Sequence, residues 1–294
     1  MSSHHAKGKA LKPVMIPDGH FWTKIPVLGG VVGVIGIGAA AGLMTSNWGA
    51  FLRAYLVAYM FFLAIALGAL FFTLIHHATK AGWSVTVRRI TEVMASTMPL
   101  FLIGFVPIVL GLPHLYEWAK PLAEGEVLDE ILAHKQAWLN PTRFIIFGFA
   151  YLAIWNIIAF YFHKKSVEQD KSGDLEISRK LGMASYPALA IFALTTSFAA
   201  FDWLMGLNPH WFSTIFGVYY FAGCLVACFA TMGLIAIGMK KTGLVGDEIN
   251  AEHFHDIGKF LFAFTVFWTY IAFSQYMLIW YANMPETTLW FDAR

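Results

Sequence analysis

The sequence predicts an all-α protein, a polytopic bundle of about seven transmembrane helices whose N-terminus lies in the cytoplasm. Apolar residues make up 58% of the 294 and charged residues 13%, and mean hydropathy is +0.61. Soluble domains carry about a quarter charged residues, so this chain is too poor in charge to cover a water-facing surface. Seven apolar runs, at 25–44, 51–75, 90–112, 144–162, 184–204, 212–239 and 260–281, approach the roughly 20 residues that cross a bilayer core. They are continuous and do not alternate, which excludes a strand barrel. Of the 20 Lys and Arg, fifteen fall on the side shared by the N-terminus and the ends of the even-numbered spans, and five on the other. That imbalance places the N-terminus inside and makes the basic residues topology signals, not a nucleic-acid surface.

In chain order, residues 1–24 form a basic cytoplasmic segment and 25–294 the transmembrane domain. The first run lacks a small-residue cleavage site and reads as a retained span. Its Gly29/Gly33 and Gly38/Gly42 form small-xxx-small pairs that predict close approach of another helix. Gly36, Gly38 and Gly42 have no preceding strand, so a dinucleotide loop is excluded. The connection 113–143 holds Val127, Ile131, Leu132 and Trp138, spaced for a short amphipathic helix at the outer surface. Its acidic residues Glu117, Glu124, Glu126, Asp129 and Glu130 suit either a solvated loop or a docking face. The mixed-charge segment 163–183 reads as plain connection. Asn208 and Pro209 suit an N-cap and first helical residue opening the sixth span, with Trp203 and Trp211 as interfacial aromatics.

Cofactor chemistry is constrained by residue type. Membrane haem b needs axial histidines within the spans, and none of the eleven histidines lies near the middle of a run. No Cys-x-x-Cys-His occurs, and two cysteines, Cys224 and Cys228, cannot hold an iron–sulfur cluster; one turn apart, they read as small packing residues. His76-His77 and His253-Phe254-His255 lack further metal ligands nearby in sequence. The expectation is a chain that carries no cofactor itself.

Polar residues within spans are costly and mark pathways. Sorted by depth, Glu92, Asn156, His163, His255, Asp256 and Lys259 lie near the cytoplasm. Thr195, Thr196, Ser197 and Tyr270 lie midway, and Ser274, Gln275, Asp202 and His210 toward the outer side. Tyr270 and Ser274 share one helix face, as do Thr195 and Asp202. These positions suit a proton or quinone-linked path, with Asp202 paired to His210 across the turn. They suit equally a set of hydroxyls bonded to their own backbone. Glu92 has a structural reading too, as the neutraliser of Arg88 and Arg89 at i−4 and i−3.

Three segments, "FFTLIHHATKAGWSVTVRRITE" (72–92), "FDWLMGLNPHWFSTIFGVYYFAG" (201–223) and "HDIGKFLFAFTVFWTYIAFSQYMLIWYANMPE" (255–286), resemble the ActF family. ActF chains are integral-membrane subunits of bacterial alternative complex III, a quinol:cytochrome c or high-potential-acceptor oxidoreductase of the inner membrane. The resemblance covers 50–291 and implies further spans after the last segment. It implies as partners pentahaem and monohaem cytochromes, an iron–sulfur subunit and a quinol-binding membrane subunit of the NrfD type, with a terminal oxidase and lipids beyond them. Haem c and iron–sulfur clusters would then sit in partners, with quinol as the complex's substrate. The competing reading is a secondary transporter or ion channel, which would show repeated halves and broken helices.

Overall fold

The structure, a computed structural model, describes residues 16–122 and 129–292. The expectations placed on Lys7, Lys9, Lys12, Glu124, Glu126, Val127 and Arg294 lie outside the described residues. Twelve α-helices and two single 3₁₀ turns follow one another, with no strand among the described residues. Seven helical segments are long and apolar enough to cross a membrane, so this is a multi-pass membrane protein.

Helix α2 (Trp48–Ala78) is the centre of the bundle, with two thirds of its apolar window buried. It is packed by α3 (Val85–Ala95), α9 (Leu175–Trp203) and α10 (Phe216–Lys241). Helix α8 (Pro141–Ser172) packs on α9, and α11 (Ala251–Ala282) lies against α10. The N-terminal face of the bundle gathers the turns 79–84, 173–174 and 242–250. The opposite face gathers 111–122, 129–140, 204–215 and the last helix, α12 (Pro285–Asp292).

Helix α1 (Phe21–Ser46) stands apart. Its N-terminal end is tied to the end of α10, where Trp22 Nε1 donates to Thr242 Oγ1 at 2.8 Å, and its other end joins α2 through Asn47. A Cβ added at Gly29, Gly33, Gly38 or Gly42 would meet nothing within 4 Å. The expected close approach is therefore not made within the chain. The close contacts are made elsewhere. At Gly68 of α2 an added Cβ would lie 2.2 Å from the Cys224 carbonyl oxygen and 2.6 Å from Cys228 Cβ, so α2 and α10 touch backbone to backbone there. Cys224 and Cys228 are free and buried and pack as small residues.

The third span differs from the continuous 90–112 run. It is broken into α3, α4 (Met98–Gly104), α5 (Val106–Leu110) and α6 (Leu112–Leu115). Each of the last three carries proline in its first turn, at Pro99, Pro107 and Pro113. Proline lacks the donor and crowds the carbonyl four residues back. Two carbonyls of the broken stretch also accept from side chains: Tyr55 OH donates to Gly104 O at 2.6 Å and Tyr59 OH to Phe101 O at 3.0 Å.

Residues 163–183 are not a loop. Helix α8 runs on through charged, helix-favouring residues to Ser172, then reverses at Gly173 in the left-handed region. Asp174 caps α9 by accepting from Glu176 N at 2.8 Å. The extension puts Asn156 sixteenth of the 32 residues of α8, midway along the helix and not, as the sequence suggests, near the N-terminal face. Helix α10 begins at Phe216, not at Asn208-Pro209. Pro209 instead offers its carbonyl to Lys135 Nζ at 2.5 Å, and 208–215 folds as a turn. Trp203 and Trp211 are buried, not interfacial, because the second face carries its own cover. Of the amphipathic stretch only α7 (Glu130–Lys135) is helical among the described residues.

Gly68→Leu is expected to force α2 and α10 apart and cost at least about 1–3 kcal/mol by overpacking. Gly36→Leu, facing open space, should leave the unfolding temperature in detergent within a degree or two. Equal tolerance of both substitutions would contradict the packing.

Candidate functional site

The bundle buries two carboxylates, one near each face. Asp202 sits at the end of α9 and is 2% exposed. Its Oδ1 accepts from Trp138 Nε1 and from Arg143 Nη1, both at 2.9 Å, and its Oδ2 accepts from Tyr151 OH at 3.0 Å. Arg143 and Tyr151 are eight residues apart on α8, so two helical turns bring both to one face. The helix starts where it does because Asn140 accepts from Arg143 N at 2.8 Å and Pro141 occupies the first helical position. The Arg143 guanidinium lies 3.4 Å from the Trp138 ring centre and 4.6 Å from that of Phe147. This cation–π sandwich fixes the fork that meets Asp202.

Beside it, the buried Tyr116 OH donates to the Trp203 carbonyl at 2.9 Å. Burial, and then the Asp202 charge, push the Tyr116 phenol well above its ordinary range, so it remains a donor. Trp118 Nε1 donates to Gly206 O at 2.9 Å. Residues 116–118 and 138–143 are thereby stitched across the end of α9. Lys135 in that segment is held below its usual range by burial. Underneath lies an aromatic layer in which Trp203 meets Tyr59, Phe105, Tyr151 and Trp155 with ring centres 5.1–6.4 Å apart.

Glu92, near the N-terminal face, is also 2% exposed. It accepts from Arg88 Nε at 3.2 Å and from Ser166 Oγ at 2.8 Å, and Arg89 Nη1 lies 2.7 Å away. His77 Nε2 stands 4.0 Å from Glu92 Oε1, too far for a hydrogen bond. Arg89 reaches on to Asp170. The helical neutralisation expected from spacing is present, joined by Ser166 from α8. Tyr151 and Ser166, which serve the two carboxylates, are separated along α8 by about 22 Å. Between them its buried face is Leu152, Trp155, Ala159 and Phe162. The two sites are distinct.

The other candidates are spread through the bundle. Asp202 and His210 are not paired: His210 is half-exposed and faces Asp129 at 3.5 Å. The reason is that 208–215 leads His210 outward while Arg143 takes the carboxylate. Thr195 accepts from Trp155 Nε1 at 2.9 Å and donates to Ile191 O at 2.8 Å, and Asn156 Nδ2 donates to Leu152 O at 2.8 Å. Both thus join local bonding. Thr196 Oγ1 and Gln275 Nε2 are buried without a partner. Tyr270 is exposed on the outer side of α11, with Ser274 half-buried beside the inward Ile271 and Gln275. Asp256 pairs with Lys259 at 2.8 Å in the first turns of α11, and His255 is exposed nearby. His253 caps the same helix with Asn250. Among the described residues no three His, Cys, Asp or Glu side chains gather as metal ligands.

Arg143, Trp138, Tyr151 and Ser166 were missed from sequence. The two-turn spacing of Arg143 and Tyr151 was a usable signal; the identity of their carboxylate was not. No family model matches the chain, and no curated protein matches it.

Asp202→Ala is expected to strand the Arg143 guanidinium and cost about 3–5 kcal/mol. Asp202→Asn, whose oxygen still accepts from Trp138 while its amide can donate to the Tyr151 hydroxyl, should cost less. Adding Arg143→Met to Asp202→Ala should recover much of the loss. Thermal unfolding in detergent across this cycle reads the coupling; strict additivity would show that the pair holds nothing together.

Proposed function

We propose that this chain is a non-redox integral-membrane subunit of an alternative complex III, a quinol-oxidising respiratory complex of a bacterial inner membrane. Two kinds of support converge. The three segments at 72–92, 201–223 and 255–286 point to the complex. The observation that carries the subunit reading is the unspent surface of two spans. None of the apolar window of α1 is buried within the chain, and only 11% of that of α11. Small residues on such a face, as along α1, let another helix approach closely. In this reading the N-terminal face is cytoplasmic, haem c and iron–sulfur clusters belong to partner subunits, and quinol is the substrate of the whole.

The chain's own part is to support assembly, with proton conduction or quinone-site formation as its chemical contribution. Asp202 and Glu92 would serve proton movement at opposite faces. Since apolar side chains of α8 separate them, a continuous path would need groups from a partner. The broken third span is the one feature shared with transporters. Two of its backbone carbonyls are engaged by Tyr55 and Tyr59, which favours the subunit reading.

Purification in mild detergent should bring down haem-bearing polypeptides with a visible cytochrome spectrum; a colourless chain isolated alone in repeated mild preparations would count against the proposal. For orientation, membrane-impermeant thiol reagent applied from outside should label Lys120→Cys and miss Asp174→Cys, both at exposed positions, while the buried Cys224 and Cys228 stay silent. The reverse pattern would invert the assignment of faces.

A further inference from the structure

Between α2, α10, α11 and the turn 79–83 lies a cavity of about 310 Å³, lined by Phe71, Phe72, Ile75, His76, Thr79, Ala81, Trp83, Phe229, Phe260 and Phe264. It is separate from both carboxylate sites, and its walls are rings. Trp83 stacks on Phe260 with centres 5.4 Å apart, and Phe229 stacks on both Phe260 and Phe264 at 5.4 Å. The volume is near the lower end of small-ligand pockets, about 300–1,000 Å³, enough for one substituted ring.

One polar side chain in this cavity is both buried and without its full bonding. His76 is 7% exposed and rigidly held. Its ring stacks on Phe72 at 3.8 Å and meets Trp83 edge-on at 5.3 Å. His76 Nδ1 lies 2.7 Å from the Phe72 carbonyl. A carbonyl only accepts, so Nδ1 carries the hydrogen, and in the neutral ring the lone pair is on Nε2. Among the described residues Nε2 has no hydrogen-bond partner. The cavity thus offers one fixed acceptor between aromatic walls. No carboxylate lines it. An aromatic cage for a quaternary ammonium is therefore disfavoured against a neutral ring that brings its own donor.

We propose that this cavity at the N-terminal face binds a flat, neutral, hydroxyl-bearing ring, a hydroquinone headgroup, whose hydroxyl donates to His76 Nε2 while its face packs on the Trp83, Phe229 and Phe260 rings. The cavity and His76 carry the binding itself; only the natural source of the hydroquinone, as the complex's quinol, rests on the proposed function.

The test is equilibrium dialysis of a radiolabelled one-isoprene benzohydroquinone against the full chain in nanodiscs, kept anaerobic and corrected for partition into empty nanodiscs. Saturable binding at one site per chain is expected. Two changes should each weaken it about tenfold, the effect of one lost hydrogen bond to a buried acceptor: His76→Phe, which keeps a ring on Phe72, and the dimethyl ether of the probe, which lacks the donor. His76→Gln, whose side-chain oxygen can still accept, should remain within about threefold of the native chain. Tetramethylammonium should not compete. Absence of saturable binding, equal binding of the ether, or competition by tetramethylammonium would each overturn the proposal. Should His76→Phe fail to fold, the ether and His76→Gln still decide it. Failure of binding in a chain that co-purifies with haem partners would reject this site and leave the subunit assignment standing.

Discussion

In hydrocarbon an unpaired peptide group costs several kcal/mol, because no water is present to bond it. Much of this bundle can be derived from that single constraint. It makes the spans helical, and in the proline-broken third span two carbonyls are met by Tyr55 and Tyr59. It also explains the hydroxyl groups. Thr73, Thr195, Ser197 and Thr231 each donate to the carbonyl four residues back. Hydroxyl-bearing residues in apolar spans are therefore weak evidence of a pathway until their bonds are known.

The same constraint is more severe for charge. Asp202 and Glu92 persist because each is met by arginine and by neutral donors from another part of the chain. For Asp202 those donors are Trp138 and Tyr151, and for Glu92 the donor is Ser166. Both pairs join α8 to the rest of the bundle, one near each end, so the polar cost of burial also specifies how that helix is placed. The layer between them is aromatic and apolar. Along α8 the two carboxylate sites are separated by Leu152, Trp155, Ala159 and Phe162.

Surface use follows a matching logic. Where two helices of this chain touch backbone to backbone, glycine is required, as at Gly68 against Cys224 and at Gly217 against Ser197. Where glycines are plentiful but meet nothing, as along α1, no other helix of the described chain makes the close approach they permit. The aromatic cavity around His76 belongs to neither class: it is enclosed by three helices and a turn and lined by groups that pack on one another without filling it.

Sequence alone was sufficient for the all-α class, the seven apolar runs, the neutralisation of Glu92 by Arg88 and Arg89, and the packing role of the cysteines. These depend on composition and on neighbours within one or two turns, which the 3.6-residue period makes legible. It misread 163–183, since mixed charge suits a solvated helix as well as a loop, and it misplaced the start of α10, since Asn-Pro opens turns as readily as helices. Only the tertiary structure decided that Asp202 answers to Arg143, Trp138 and Tyr151 and not to His210. Those partners come from residues 51 to 64 positions away. Likewise, the cavity at His76 exists only because α10 and α11 bring Phe229, Phe260 and Phe264 to the end of α2. Side-chain meetings between helices depend on rotation and tilt, and no local pattern in a single sequence encodes either.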